Sequence, residues 1–144
     1  MKKILLSLAL FLMVGLQSGC VTQLKSDVTP GVNLKDLKKV YVVHLPADQR
    51  GVERLIADRL GTMGFQATTG EKENVPADVD AIVTYQDKWM WDITMYMIQL
   101  DVQVRRPKTD VAIATGHAMR TSLARKSPSE MVEEVLTDIF KQKK

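Results

Sequence analysis

The chain has 144 residues, of which 26% are charged and 45% hydrophobic, and its 20 basic and 17 acidic residues give a formal net charge of +3. A chain of this length can bury the core of one domain and is short for two. The nearly balanced charge gives no indication of a nucleic-acid partner, so we expect none.

The first nineteen residues have the layout of a secretory signal peptide. Lys2 and Lys3 precede an apolar run over residues 4–16, and small residues follow it. As a helix this run would span roughly 20 Å, which is shorter than the ~30 Å hydrocarbon core of a bilayer. A buried helix of a cytosolic domain would need a polar face, and the run has only Ser7. We therefore expect residues 1–19 to be a cleaved signal peptide.

Cys20 is the single cysteine of the chain. It has no partner for an internal disulfide, so in an exported protein it is an intermolecular partner, a free thiol or a modified residue. The run LQSGC, residues 16–20, resembles the lipobox of bacterial lipoproteins, although Gln17 stands where that motif usually has an apolar or small residue. The resemblance implies cleavage before Cys20 and a diacylglyceryl group on its sulfur, which anchors the protein to a membrane through acyl chains.

The residues after the cysteine bear on location and domain organisation. Val21 occupies the position where aspartate would signal retention at the inner membrane, so the resemblance implies the periplasmic face of an outer membrane. Residues 20–35 are polar, contain Pro30 and Gly31 and lack periodicity, which predicts a tether of up to roughly 50 Å. Residues 36–144 are then expected to form a single α/β domain.

The first part of this domain is predicted to be a strand, a helix and a second strand. Residues 38–46 are rich in β-branched residues and end at a proline, which indicates a buried strand. Apolar residues then recur at helical spacing, at Val52, Leu55, Ile56, Leu60 and Met63. Asp48 is the predicted N-cap of this helix and Gly64 the glycine that ends it. A short strand is expected over residues 66–69.

The second part is predicted to be three strands and a helix. Residues 81–91 and 95–105 would form a hairpin with its turn near Asp92 and Ile93, and residues 111–121 the next strand. In the second hairpin strand, one face is expected to carry the apolar residues Tyr96, Ile98, Leu100, Val102 and Val104. Alternate small residues around Gly116 predict close packing by a helix. The run SPSE, residues 127–130, is a capping box that begins the last helix.

The predicted element order is β-α-β-β-β-β-α. It indicates the α/β (α+β) class, as a two-layer sandwich in which a mixed, mostly antiparallel sheet has two helices on one face.

The hairpin contains both tryptophans of the chain and is the first candidate binding site. Tyr85, Asp87, Trp89 and Trp91 would share one face of a strand, with Asp92 at the turn. One interpretation is a hairpin whose aromatic face closes the core. The other is an aromatic platform that stacks a sugar ring of peptidoglycan or lipopolysaccharide, or that receives an apolar side chain of a protein partner.

A second candidate site precedes the last helix. Arg120, Arg125 and Lys126 lie just before its N-terminus, where backbone amides attract anions. The arrangement fits phosphate or an anionic glycan, and it also fits a solvated basic turn.

Enzyme chemistry has little support in the sequence. His44 and His117 have no partner at metal-ligand spacing, and no serine lies in a nucleophile elbow. We expect no catalytic residue, metal or cofactor.

The chain is similar to small uncharacterised bacterial lipoproteins, on the lipobox, and more loosely to periplasmic α/β lipoproteins that assist secretion or cell-wall synthesis, on the stretches DKWMWD and GHAMRTSLARKSP. These resemblances imply a lipid-anchored, non-catalytic adaptor that binds a protein partner in the periplasm, with a glycan-binding lipoprotein as the alternative.

Overall fold

The computed structural model of the protein describes residues 22–141, so the expected signal peptide and Cys20 lie outside the described residues. The elements are β1 (Gln23–Val28), β2 (Lys39–Val43), α1 (Val52–Thr62), β3 (Gln66–Gly70), β4 (Ala81–Asp92), β5 (Thr94–Arg105), β6 (Ala112–Met119) and α2 (Pro128–Phe140). Short 3-10 helices cover Leu34–Asp36, Lys72–Asn74 and Ser122–Ala124. From β2 onward, this order confirms the one predicted from the sequence.

The six strands form one open sheet in the order β1-β6-β5-β4-β2-β3. Strand β2 pairs in parallel with β3 and β4, and the other pairs are antiparallel. The two α-helices contact each other and the sheet, so they cover the same face. The predicted two-layer α/β sandwich is therefore confirmed. No helix within residues 22–141 is both long enough and apolar enough to cross a bilayer.

The predicted tether over residues 20–35 is wrong for most of its length. Gln23 to Val28 form edge strand β1, which pairs with β6 from Gln23 opposite Met119 to Val28 opposite Ala114. The Ser26 hydroxyl donates to the Asp138 carbonyl of α2 at 3.0 Å, and Leu34 is fully buried. Most side chains of β1 are exposed, so backbone pairing to β6 rather than an apolar pattern holds this strand.

The core lies between the sheet and the helices. The buried residues of α1 include Val52, Ile56 and Leu60, which confirms the predicted stripe, although Leu55 and Met63 are only partly buried. In α2 the buried stripe is Met131, Val132, Val135, Leu136 and Ile139. The small-residue face of β6 also lies where it was expected, because Gly116 faces Val135 and Ile139 directly.

The predicted helix ends are largely confirmed. The residue at the N-cap position of α1 is Gly51 rather than Asp48. Asp48 still caps the helix, because its carboxylate accepts from the amides of Arg50, Gly51 and Val52 at 2.6–3.1 Å. Gly64 adopts a φ of 97°, which suits a glycine after a helix. The capping box at the start of α2 is present in full.

A β-bulge changes the expected face pattern of β5. Lys88 pairs with Gln99 and Trp89 with Met97, so Ile98 is an extra residue in β5. An extra residue moves every side chain beyond it to the opposite face. Met97 is therefore fully buried in the core, while Tyr96 lies beside Met90 on the other face. The prediction that Tyr96 shares the face of Leu100 is wrong for this reason.

Candidate functional site at the hairpin tip

The β4–β5 hairpin extends well beyond the strands on either side of it. Strand β2 pairs with β4 only as far as Val83, and β6 pairs with β5 only from Gln99 onward. Within the described part of the chain, residues 89–97 therefore form a two-stranded ribbon with no third strand beside it. We call residues 89–97 the hairpin tip.

The turn of the hairpin tip carries a strained, exposed isoleucine. Ile93 has a φ of 63°, a left-handed conformation that is costly for a β-branched residue. Its side chain is 86% exposed, and that of Trp91 is 69% exposed. Met95 pairs with Trp91 across the ribbon, and Met90 and Met95 are each about half exposed. The tip therefore presents apolar and aromatic side chains to the solvent.

Arg125 holds the hairpin tip from one side. Its Nη2 donates to the carbonyl oxygen of Asp92 and its Nη1 to the Thr94 hydroxyl, both at 2.7 Å. The same guanidinium lies 4.3 Å from the centre of the Tyr96 ring. The Tyr96 hydroxyl in turn donates to the sulfur of Met90 at 3.4 Å. The ribbon is thus supported where no third strand supports it.

The predicted aromatic face divides into a core part and an exposed part. Tyr85 is buried in the core. Trp89 is half-buried, donates its indole N–H to Asp87, and has the Arg50 guanidinium 4.3 Å from its ring centre. Trp91 alone presents a largely open ring. Tyr85 and Trp89 therefore fit the interpretation that the aromatic face closes the core. Only Trp91 and its neighbours are exposed as a binding surface would require.

The three basic residues before α2 do not converge on one exposed surface. Arg120 is 7% exposed and pairs with Glu134, and Lys126 pairs with the same carboxylate. Arg125 is directed instead at the hairpin tip. Each positive charge has an acidic partner, so the geometry gives no support to an anion site at this helix N-terminus. The expectation that Arg120 is a surface binding residue is wrong, because its side chain is buried.

Sequence reasoning did not find the buried polar cluster beneath the base of the hairpin. The Tyr85 hydroxyl donates to Asp48 at 2.8 Å and lies 3.2 Å from Glu53. Burial, together with the Asp48 carboxylate, raises the pKa of Tyr85 far above its usual value. Burial opposes ionisation of Asp48, but hydrogen bonds from the Arg50 amide and Tyr85 outweigh it and lower the pKa of Asp48.

The cluster is structural in character. It ties β4 to the start of α1, and Asp48 uses both carboxylate oxygens on backbone amides and Tyr85. His44 lies at its edge, 3.5 Å from Glu53, and His117 pairs with Asp101 at 2.6 Å on the face of the sheet away from the helices. Among residues 22–141, no group of three or more His, Cys, Asp or Glu side chains is placed to hold a metal ion.

Comparison with known proteins identifies the fold but no family. No protein-family model and no curated protein matches the chain. PelC from Paraburkholderia phytofirmans, crystallised as a dodecamer, is similar with a TM-score of 0.62 and 11% identity, over 85% of this chain and 100% of PelC. A DUF4136 family protein from Bacteroides thetaiotaomicron has a TM-score of 0.51 and 12% identity, over 83% of this chain and 95% of its own. The chain therefore shares its fold with bacterial proteins of similar size.

Replacing Arg125 by alanine is expected to loosen the hairpin tip but to change the free energy of unfolding by less than about 1 kcal/mol, because its ion pair with Asp92 is partly exposed. Hydrogen exchange should show faster exchange of the backbone amides of residues 92–95. Arg106→Ala, which removes an exposed arginine at the other end of β5, is the control. Equal exchange rates in the two variants would contradict the bracing role of Arg125.

Proposed function

We propose that the protein is a lipid-anchored, non-catalytic binding module of the cell envelope, and that the hairpin tip is its contact surface. Cys20 would carry the lipid and hold the domain at the periplasmic face of an outer membrane. The observation that carries the proposal is the exposure of Trp91 and Ile93 together on a projecting ribbon. Clusters of exposed apolar side chains on soluble domains mark sites that a partner covers.

The contacts that Arg125 makes with the hairpin tip favour a binding role over an accidental exposure of apolar side chains. Arg125 fixes the backbone at Asp92 and the side chain at Thr94, and its guanidinium stacks on Tyr96. A surface held in one conformation loses less conformational entropy when it binds. The strain at Ile93 also fits this interpretation, because a costly backbone conformation persists at sites where the exposed side chain has a use.

A non-catalytic role is supported by where the ionisable groups lie. The Asp48, Glu53 and Tyr85 cluster is buried, and its strongest contacts hold the start of α1 in place. The hairpin tip itself offers apolar contacts and one carboxylate, Asp92, that is already paired with Arg125. Such a surface can bind a partner and has no nucleophile and base in hydrogen-bond reach of each other.

Glycan binding through a tryptophan pair has less support. A platform of two tryptophan rings can stack a sugar only if each ring has an open face. The Arg50 guanidinium lies over the Trp89 ring, 4.3 Å from its centre. Trp91 would remain as a single ring beside Asp92. We therefore favour apolar contact over sugar stacking, and a glycan remains one of the partners that the following experiment detects.

Photocrosslinking in intact cells tests the proposal. A photoreactive amino acid at position 93 should give adducts several-fold more often than one at Lys108, which is exposed in the turn at the opposite end of β5. Mass spectrometry of the adducts identifies the partner. A second copy of the chain is one of the partners that it would detect. Equal adduct yields at the two positions would contradict the contact surface, and a bare thiol at Cys20 would contradict the anchor.

A further inference from the structure

The hairpin tip and the start of β1 lie at the same end of the sheet. Gln23, the first residue of β1, pairs with Met119, and Met119 pairs with Gln99 on its other side. These three residues form one row across three strands. The hairpin tip continues from Gln99 in the direction that runs from Val28 to Gln23 along β1. Cys20 is three residues from Gln23, so chain length alone keeps it within about 10 Å of this end of the sheet.

The distances from this row can be compared. Lys88 pairs with Gln99 and lies five residues of strand before Ile93, so the turn projects about 17 Å beyond the row. Three residues separate Gln23 from Cys20, so the Cys20 backbone can lie at most about 10 Å beyond it. The turn thus extends roughly 7 Å farther than the lipid attachment point can. Elements that bind at a membrane interface bury their apolar side chains to roughly 5–10 Å, which is the same range.

The exposed apolar residues are concentrated at this end. Seven large hydrophobic side chains are exposed among residues 22–141, and five of them are on the tip or on the 3-10 helix beside Arg125, namely Met90, Trp91, Ile93, Met95 and Leu123. Tryptophan is the residue that membrane proteins enrich at the headgroup level, where its ring is apolar and its N–H can bond to water. The charges nearest the turn, on Asp92 and Arg125, neutralise each other.

We propose that the hairpin tip inserts into the lipid leaflet to which Cys20 is attached, with Trp91 at the headgroup level and Ile93 deepest. The inference rests on the proposed function, because it names the partner of the same surface and needs the anchor at Cys20. Acyl chains and tip then make a two-point attachment. The domain lies close against the bilayer with its strands upright, and the short span from Cys20 to Gln23 leaves no room for a partner protein beneath the tip.

Fluorescence of the full lipidated protein in vesicles tests the insertion. The vesicles contain phosphatidylethanolamine and phosphatidylglycerol, with or without brominated phosphatidylcholine as a quencher. Trp89→Phe leaves Trp91 as the single tryptophan. The control is Trp89→Phe/Trp91→Phe/Val111→Trp, which has its single tryptophan at an exposed site at the opposite end of β5. Trp91 should be quenched at least about twice as strongly as the tryptophan of the control and should emit at shorter wavelength.

Several outcomes would overturn the inference, and they separate it from the proposed function. Equal quenching in protein that floats with the vesicles through a lipidated Cys20 overturns insertion and leaves the proposed binding module standing. Crosslinking of a protein at position 93 in cells, without quenching of Trp91, would also overturn insertion and leave the proposed binding module standing. A protein whose Cys20 carries no lipid overturns both. If Trp89→Phe impairs folding, the quenching lost between the unchanged chain and Trp91→Phe reports on Trp91 instead.

Discussion

Replacing Gly116 by valine is expected to lower the free energy of unfolding by about 3 kcal/mol. A Cβ atom at this position would lie 2.7 Å from Ile139 and 2.8 Å from Val135. Both distances are well inside van der Waals contact, so α2 would have to move away from β6 or distort its side chains. Urea denaturation of the purified protein measures the loss.

The matched control for this prediction is Thr115→Val. It places the same valine side chain at the adjacent position of the same strand, where residue 115 is exposed on the other face of the sheet. Its free energy of unfolding should change by no more than about 0.5 kcal/mol. Equal stability of the Gly116 and Thr115 variants would show that α2 does not pack on β6 as closely as the structure indicates.

Replacing Asp48 by alanine is expected to lower the free energy of unfolding by about 3 kcal/mol, because it removes two kinds of contact at once. Three amides at the start of α1 lose their acceptor, and the buried Tyr85 hydroxyl loses its shortest hydrogen bond. Asp48→Asn keeps one of the two oxygens and should have an intermediate effect. Asp58→Ala, an exposed aspartate on the same helix, is the control and should change stability little.

The contribution of Asp48 should also depend on pH. Because the folded protein has a lowered pKa for Asp48, the stabilisation is fully present above the unfolded value, about 3.9, and is lost as the pH falls through the folded value. The difference in stability between the unchanged chain and Asp48→Asn should therefore be constant above about pH 5 and shrink below about pH 4. A difference that grows on acidification would contradict the assigned hydrogen bonds.

The elements from β2 to α2 could be predicted because each one carries its own local signal. The β-branched run of β2, the helical spacing from Val52 to Leu60 and the capping box at Ser127 all describe interactions within one element or with the core. The small residues around Gly116 indicated even the side on which α2 packs. Such signals can be recognised in the sequence without the tertiary structure, because they depend on local burial patterns and on backbone hydrogen bonds.

The missed features depend on contacts between distant parts of the chain. Strand β1 is exposed on most of its side chains, so no alternation distinguished it from a tether. The bulge at Ile98 depends on how two strands align, and it decided the faces of Tyr96 and Met97. At the hairpin tip, the difference between Trp89 and Trp91 follows from Arg50, and the bracing follows from Arg125. The sequence of the hairpin alone contains neither partner.

The pairing of β1 with β6 would have a mechanical consequence if the chain is anchored at Cys20, as proposed above. A pulling force transmitted through Cys20 would enter the fold at Gln23, along the axis of the strand. Force in this direction shears the β1–β6 ladder, so its hydrogen bonds share the load instead of opening one after another. The Ser26 hydrogen bond to Asp138 passes part of this load to α2. The edge strand would thus distribute a force applied through Cys20 over the whole β1–β6 ladder, instead of separating from β6 one hydrogen bond at a time.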